Sequence, residues 1–252
     1  MQLEGRKVVL TGGGGGLGQL VAQGLQDIGA DLHVVDRVDA LPFDAKFLKA
    51  DLGDERGIAD ASAAVVALKP DVLINLAGVQ YFGPFERQAA AQIASGYMVN
   101  LIAPVLLSRA VIPGMRERGH GQIVNIGSVF GSIGFAHFVT YSSAKSGLRT
   151  FSEALRRELN GIDIAVTYIA PRAVRAGLST PEIMRYAAVT KMNMDPPQAT
   201  AARIVQAIAK RRKDVFIGFP ESFFVRVNGV LPRLVDTALA PNDRKAATLF
   251  ES

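Results

Sequence analysis

Apolar residues recur along this chain in short dense runs, and longer stretches with helical spacing separate them. The run KVVLTG (7–12) is followed by LGQLVAQGLQDIG (17–29), whose apolar positions return every three or four residues. The first reads as a buried strand and the second as an amphipathic helix. DLHVVDR (31–37) reads as a second strand. DVLINLAG (71–78), GQIVNIGS (121–128) and DIAVTYIAP (163–171) repeat the form, each apolar and each ending in a polar or glycine turn. Between them the periodicity predicts helices over Ala59–Leu68, Ala89–Arg118 and Ser142–Leu159. The helix ATAARIVQAIAKRRK (199–213) and the strand DVFIGFP (214–220) follow. Strands alternating with helices indicate a parallel sheet covered on both faces. No Pro/Gly/Ser linker divides the chain, so residues 1–252 are expected to form a single doubly wound α/β domain.

Composition agrees with that picture. Hydrophobic residues make up 49% and charged residues 20%, as in a folded domain. There is no cysteine, which excludes disulfides, cysteine-ligated zinc and a thiol nucleophile. No metal site is expected. A charged EGRK precedes the first short apolar run, and no apolar run approaches the ~20 residues of a spanning helix. A cytoplasmic protein is the expectation. The formal net charge is +5, with the basic residues scattered except at Lys210–Lys213, which reads as a helix C-terminus. These residues form no aromatic-interleaved patch, so no nucleic-acid partner is expected.

In doubly wound folds ligands sit at the carboxyl ends of the strands, and the glycine-rich TGGGGGLG (11–18) lies at one of them. Its register is ambiguous. Gly13, Gly15 and Gly18 satisfy GxGxxG, while Gly12, Gly16 and Gly18 satisfy GxxxGxG. In either register, backbone amides and a helix N-terminus face a pyrophosphate. Asp36 ends the next strand, near the ~20-residue offset at which an acid accepts from the adenosine ribose. A carboxylate there repels a 2′-phosphate, which favours NAD over NADP; the neighbouring Arg37 weakens that preference.

YSSAK places Tyr141 and Lys145 one helical turn apart on one face. A tyrosine beside an ammonium is expected to have a lowered pKa. A shift from ~10 to ~7 is worth roughly 4 kcal/mol and would allow proton exchange with an alcohol or carbonyl at neutral pH. Ser128 ends a strand thirteen residues before Tyr141, where its hydroxyl can reach the same oxygen. Asn100, in a helix interior, suggests a buried polar role.

With these residues in place, the chain resembles the short-chain dehydrogenase/reductase family over nearly its whole length. The resemblance rests on TGGGGGLG, Asp36, Asp51-Leu52, NLAG (75–78), Asn100, Ser128, YSSAK and Pro171. It implies a Rossmann-type fold and selects the register Gly12, Gly16 and Gly18, with Gly15 and Leu17 beside them. It implies that Asp51 and Leu52 flank the adenine, and that Asn75, Ala77 and Gly78 line the nucleotide. It further implies Tyr141 as acid/base, Ser128 orienting the carbonyl, Lys145 on the nicotinamide ribose, and Asn100 linking Lys145 to solvent through a water. Pro171 and the Val174 backbone approach the carboxamide. The implied reaction is hydride transfer between the nicotinamide and a carbinol carbon of a small-molecule alcohol or ketone.

Two departures stand out. Arg172 and Ala176 replace the family's usual glycine and threonine after the sixth strand. Arg172 and Arg175 read either as surface arginines or as cations at the mouth of the site, for an acidic substrate or a phosphate. Residues 177–195, with Met184, Met192 and Met194, are expected to form a mobile substrate lid. Phe130, Phe135, Phe138, Tyr81 and Phe82 suggest an apolar pocket wall. His137 reads as a loop residue at the pocket edge, His33 as strand packing and His120 as a solvated turn.

The tail, residues 220–252, places Phe223, Phe224, Val227, Val230, Leu231, Leu234 and Val235 on one helical face, with a break at Pro232. It reads as a helix packed on its own domain, as a flap admitting a greasy substrate, or as a peripheral membrane contact. A homodimer through the two long helices is expected. The leading functional reading is an oxidoreductase for an apolar secondary alcohol or ketone. A 3-oxoacyl-thioester ketoreductase and a silent dinucleotide sensor are the alternatives.

Overall fold

A computed structural model describes residues 3–250. Its framework is one seven-stranded, fully parallel sheet of order β3-β2-β1-β4-β5-β6-β7. The strands are β1 (Lys7–Thr11), β2 (Asp31–Asp36), β3 (Lys46–Lys49), β4 (Val72–Asn75), β5 (Gly121–Ile126), β6 (Ile164–Pro171) and β7 (Asp214–Ile217). The helices are α1 (Gly16–Asp27), α2 (Glu55–Leu68), α3 (Ala90–Tyr97), α4 (Ala103–Arg118), α5 (Val139–Glu158), α6 (Pro181–Thr190), α7 (Pro197–Ala209), α8 (Glu221–Val230) and α9 (Pro232–Ala247). Every strand enters from the same side, so all seven carboxyl ends share one edge.

Alternation along β1 shows how the two faces are filled. Val8 and Leu10 join the core under α1 and α7, with Val21, Leu25, Ile204 and Ile208. Val9 points the other way, to Ile58 and Val65 of α2, Leu107 and Met115 of α4, and Leu155 of α5. β4 and β5 are buried at every position, which explains their continuous apolar runs.

Several boundaries differ from the expected ones. α2 starts at Glu55 because the Asp54 carboxylate accepts from the Gly57 amide at 2.8 Å and caps it. α5 starts at Val139. The expected helix over 89–118 is α3 and α4 joined by one π-helical turn, Met98–Ile102. By length and composition alone Ala90–Arg118 could cross a membrane. Here Val99, Ala103, Leu107, Val111 and Met115 are buried in the sheet's core. β3 was not expected: KFLK has only two apolar residues, and lysines mark the sheet edge. After α7, the Arg211 side chain pairs with Asp163 and donates to the Gly121 carbonyl, tying the end of that helix to the starts of β5 and β6.

A chain of buried polar side chains crosses the centre of the sheet. Asn75 and Asn125 are register partners on β4 and β5. The Asn75 amide donates to Asn125 Oδ1 at 2.8 Å, and the Asn125 amide donates to Ser152 Oγ of α5 at 2.8 Å. Ser152 in turn donates to the Leu148 carbonyl. Asn75 also reaches Ser108 of α4 at 3.3 Å. Asn75 therefore holds strands and helices together, and it does not line the cleft described below. Asn125→Ala leaves buried partners unsatisfied, each at a cost of ~1–3 kcal/mol. Chemical denaturation of this variant is expected to show a loss of about 2–3 kcal/mol; a loss below ~0.5 would show that the chain is dispensable.

Candidate active site

A cleft of about 430 Å³ opens along the carboxyl edge of the sheet. At one end lies the glycine turn between β1 and α1. Gly12 has φ +76°, and a Cβ on it would meet the Ala77 backbone at 2.6 Å. A Cβ on Gly18 would fall on the Gly12 carbonyl. Gly16 passes close to the backbone of Gly177. These contacts require glycine at 12 and 18 and place the turn in the GxxxGxG register. The Thr11 hydroxyl accepts from the Leu76 and Ala77 amides, both at 3.1 Å, tying the turn to the end of β4. No side chain caps α1, and Gly15, Gly16, Leu17 and Gly18 all line the cleft.

The Asp36 carboxylate accepts from Gly14 N–H at 2.8 Å through one oxygen, and from Arg37 N–H at 2.7 Å through the other. Oδ1 also accepts from Val38 N–H at 3.3 Å, so Oδ2, with one bond, is the oxygen that keeps acceptor capacity. Arg37, Asp51, Leu52, Ala77, Gly78, Pro171 and Val174 line the same space. Among the described residues none forms an ion pair with Arg37.

At the other end β5 and α5 meet. Ser128, just past β5, caps a 3₁₀ turn over Val129–Gly131 by accepting from Phe130 N–H at 3.1 Å. That turn lies directly on α5, where a Cβ on Gly131 would strike the Lys145 backbone at 2.6 Å. Gly131 thus lets Ser128 approach the helix carrying Tyr141 and Lys145, a role the sequence did not reveal. Lys145 Nζ donates to the Ile126 carbonyl at 2.9 Å and lies 5.8 Å from the Tyr141 ring centre.

The expected lowering of the Tyr141 pKa is not found. Burial pushes the phenol up to about 12, opposed only by a hydrogen bond from Ser128. Burial also pulls the Lys145 ammonium down to about 8. The ammonium is turned toward Ile126, so desolvation outweighs any charge attraction at the tyrosine.

Asn100 is fully buried in the π-helical turn and lies outside the cleft lining. Its amide donates to the Val79 and Gly96 carbonyls, at 2.7 and 2.9 Å, and its oxygen accepts from Val79 N–H. It braces the Gly78–Val79 turn behind Lys145 and is a positioning residue.

Other expectations change as well. Arg172 is no free cation: it pairs with Asp195 at 2.6 Å and Glu221 at 2.8 Å. Arg175 is exposed. In the lid segment, Ile183, Met192 and Met194 line the cleft, whereas Met184 faces outward. Phe130 and Phe138 form an apolar wall, and Phe82 joins them through ring contacts. Tyr81 stays outside that wall. His137 stacks near Phe250, with ring centres 4.8 Å apart, and is not in the cleft. His120 is not simply solvated; its Nε2 lies 2.9 Å from Asp71 Oδ1. The tail breaks at Pro232 as expected, but its apolar face divides. Val225 and Val235 turn inward while Phe223, Val230 and Leu231 face out.

Residues 6–185 match the short chain dehydrogenase family model. The chain belongs to the short-chain dehydrogenase/reductase family. It is 33% identical to "Ketoacyl reductase HetN" of Nostoc sp., over 85% of this chain and 79% of that protein. It is 32% identical to "Dehydrogenase/reductase SDR family member 7B" of Mus musculus, over 96% and 83% of the two chains. Among solved structures it resembles a short-chain dehydrogenase from Streptomyces avermitilis, with a TM-score of 0.77 and 28% identity over 96% and 98% of the chains. As a short-chain dehydrogenase/reductase, the protein acts on alcohol or ketone groups with NAD(P). The cleft fits such a dinucleotide: bare amides and close backbone at one end, the Asp36 carboxylate beside them, and Ser128, Tyr141 and Lys145 at the other.

Because burial favours the neutral phenol, Tyr141 in the free enzyme is expected to stay protonated up to about pH 11. A difference ultraviolet titration of wild type against Tyr141→Phe measures this. Tyr141 phenolate appearing below pH 9 would contradict the desolvated site.

Proposed function

We propose that this enzyme interconverts an apolar ketone and its secondary alcohol, with NAD(H) as the preferred cofactor. The observation that carries the reading is the convergence of Ser128, Tyr141 and Lys145 at one end of a cleft whose other end is the glycine turn and Asp36. When bound, the nicotinamide supplies or receives the hydride. The rest of the chemistry falls to the protein. Tyr141, held neutral by burial, donates its proton to the carbonyl oxygen as negative charge develops there. The Phe130 amide occupies one acceptor site of Ser128, and its O–H, directed at Tyr141 in the free enzyme, turns to that same oxygen when substrate is bound. Lys145 has three N–H donors and gives one to Ile126, which leaves donors for the ribose hydroxyls. Its charge also makes proton loss from Tyr141 easier in the alcohol-oxidising direction. Phe130, Phe138, Ile183 and Met192 surround the space beside Tyr141, which supports an apolar substrate body.

The relative called a ketoacyl reductase favours a second reading, reduction of a 3-oxoacyl thioester. Against it, Arg172 is already neutralised by Asp195 and Glu221 and offers no free charge to an anionic carrier. The intact Ser128–Tyr141–Lys145 cluster speaks against a silent sensor.

Tyr141→Phe is expected to lower turnover ~10²-fold or more with NADH binding intact. Retained turnover would place the proton donor elsewhere. NADH is expected to bind at least about tenfold more tightly than NADPH, ~1.4 kcal/mol, and Asp36→Ala should narrow the gap. Equal or tighter NADPH binding by the wild type would mean that Arg37 governs the site.

A further inference from the structure

A second chamber of about 320 Å³ lies between the lid segment and the tail helices. Phe130, Arg172, Ala173 and Met192 line both it and the catalytic cleft, so the two spaces share a wall. The Phe130 ring lies 6.2 Å from the Tyr141 ring. Beyond that wall the chamber is bounded by Ile133 and Phe135 from the body, and by Val227, Val235 and Leu239 from the tail.

The tail is held over this space by an ionic clamp. Arg172, at the end of β6, donates to Asp195 at the end of the lid segment, and to Glu221 and the Phe219 carbonyl at the start of α8. Asn193 also donates to Glu221. Gly218 leaves room for the Arg172 stem, since a Cβ there would crowd it. The residue that departs from the family pattern thus joins three segments into a roof.

Resting on the reading above, we propose that this chamber is the subsite for the substrate's apolar arm: an uncharged alkyl chain whose ketone end reaches Tyr141 past Phe130 and Met192. Among the described residues, the chamber interior offers no unpaired cation to an anionic chain end. Glu221 is committed to Arg172, and Asp243, which also lines the chamber, is partly desolvated, raising its pKa. Lys191, the other charged lining residue, is exposed at the rim.

The test is a series of methyl ketones from butanone to tridecan-2-one, measured by calorimetry for binding to the enzyme saturated with NAD+, with which a ketone cannot react, and for turnover with NADH in parallel. Affinity is expected to rise about two- to fourfold per added methylene until the chamber is filled, in line with the burial of one methylene at a time. A chain ending in a carboxylate should bind at least tenfold more weakly than the neutral chain of equal length. Val227→Trp, which fills the chamber, should cut the long-to-short affinity ratio at least tenfold. Phe223→Ser, on the outward face, should leave that ratio unchanged. A flat length series in the wild type overturns the proposal, as does a Val227→Trp variant with an unchanged melting temperature and a wild-type slope. Turnover of short ketones with a flat binding slope would sink the subsite and spare the proposed chemistry. A binding slope without turnover would do the reverse.

Discussion

The site depends on close backbone approach at one edge of the parallel sheet. At the β1–α1 turn the chain passes within contact of Ala77 and of itself, and at Gly131 it lies directly on α5 beside Lys145. The buried Asn75–Asn125–Ser152 chain holds β4, β5 and α5 in the register that makes the second approach possible. The cofactor turn and the proton-transfer cluster are therefore parts of one rigid edge.

Burial along that edge sets its electrostatics. Tyr141 is raised and Lys145 is lowered by the same cause, the loss of water around both. The free site holds a neutral acid beside a weakly held ammonium, a state suited to protonating a carbonyl oxygen. Away from the edge, Arg172 spends its charge on Asp195 and Glu221 and becomes a structural tie between sheet, lid segment and tail.

Much of this was legible in the sequence, for reasons that can be named. The buried strands announced themselves as apolar runs, and the glycine turn, Asp36, Ser128 and Tyr141–Lys145 sit where strand ends and helical spacing placed them. What was not legible depended on contacts distant in sequence. The family resemblance implied Asn75 as a nucleotide residue, but its side chain points into the interior toward Asn125. Asn100 has the buried polar role its place in a helix suggested, but that its side chain holds the Val79 backbone from a π-helical turn could not be read from spacing. Arg172 read as a free cation because its partners lie 23 and 49 residues away. The Tyr141 shift was misjudged in sign because spacing alone does not say which way the Lys145 ammonium points. β3, with two apolar residues at an edge, carries too little pattern to be found.

The central claim is that one cleft brings a dinucleotide and a carbonyl together for direct reduction. Reduction of a long-chain methyl ketone with NADH stereospecifically deuterated at the transferred C4 position, followed by mass spectrometry of the alcohol, tests it most directly. The account predicts deuterium on the carbinol carbon, with none lost to solvent. Alcohol formed without deuterium, or NADH bound with no reduction of any ketone, would contradict it.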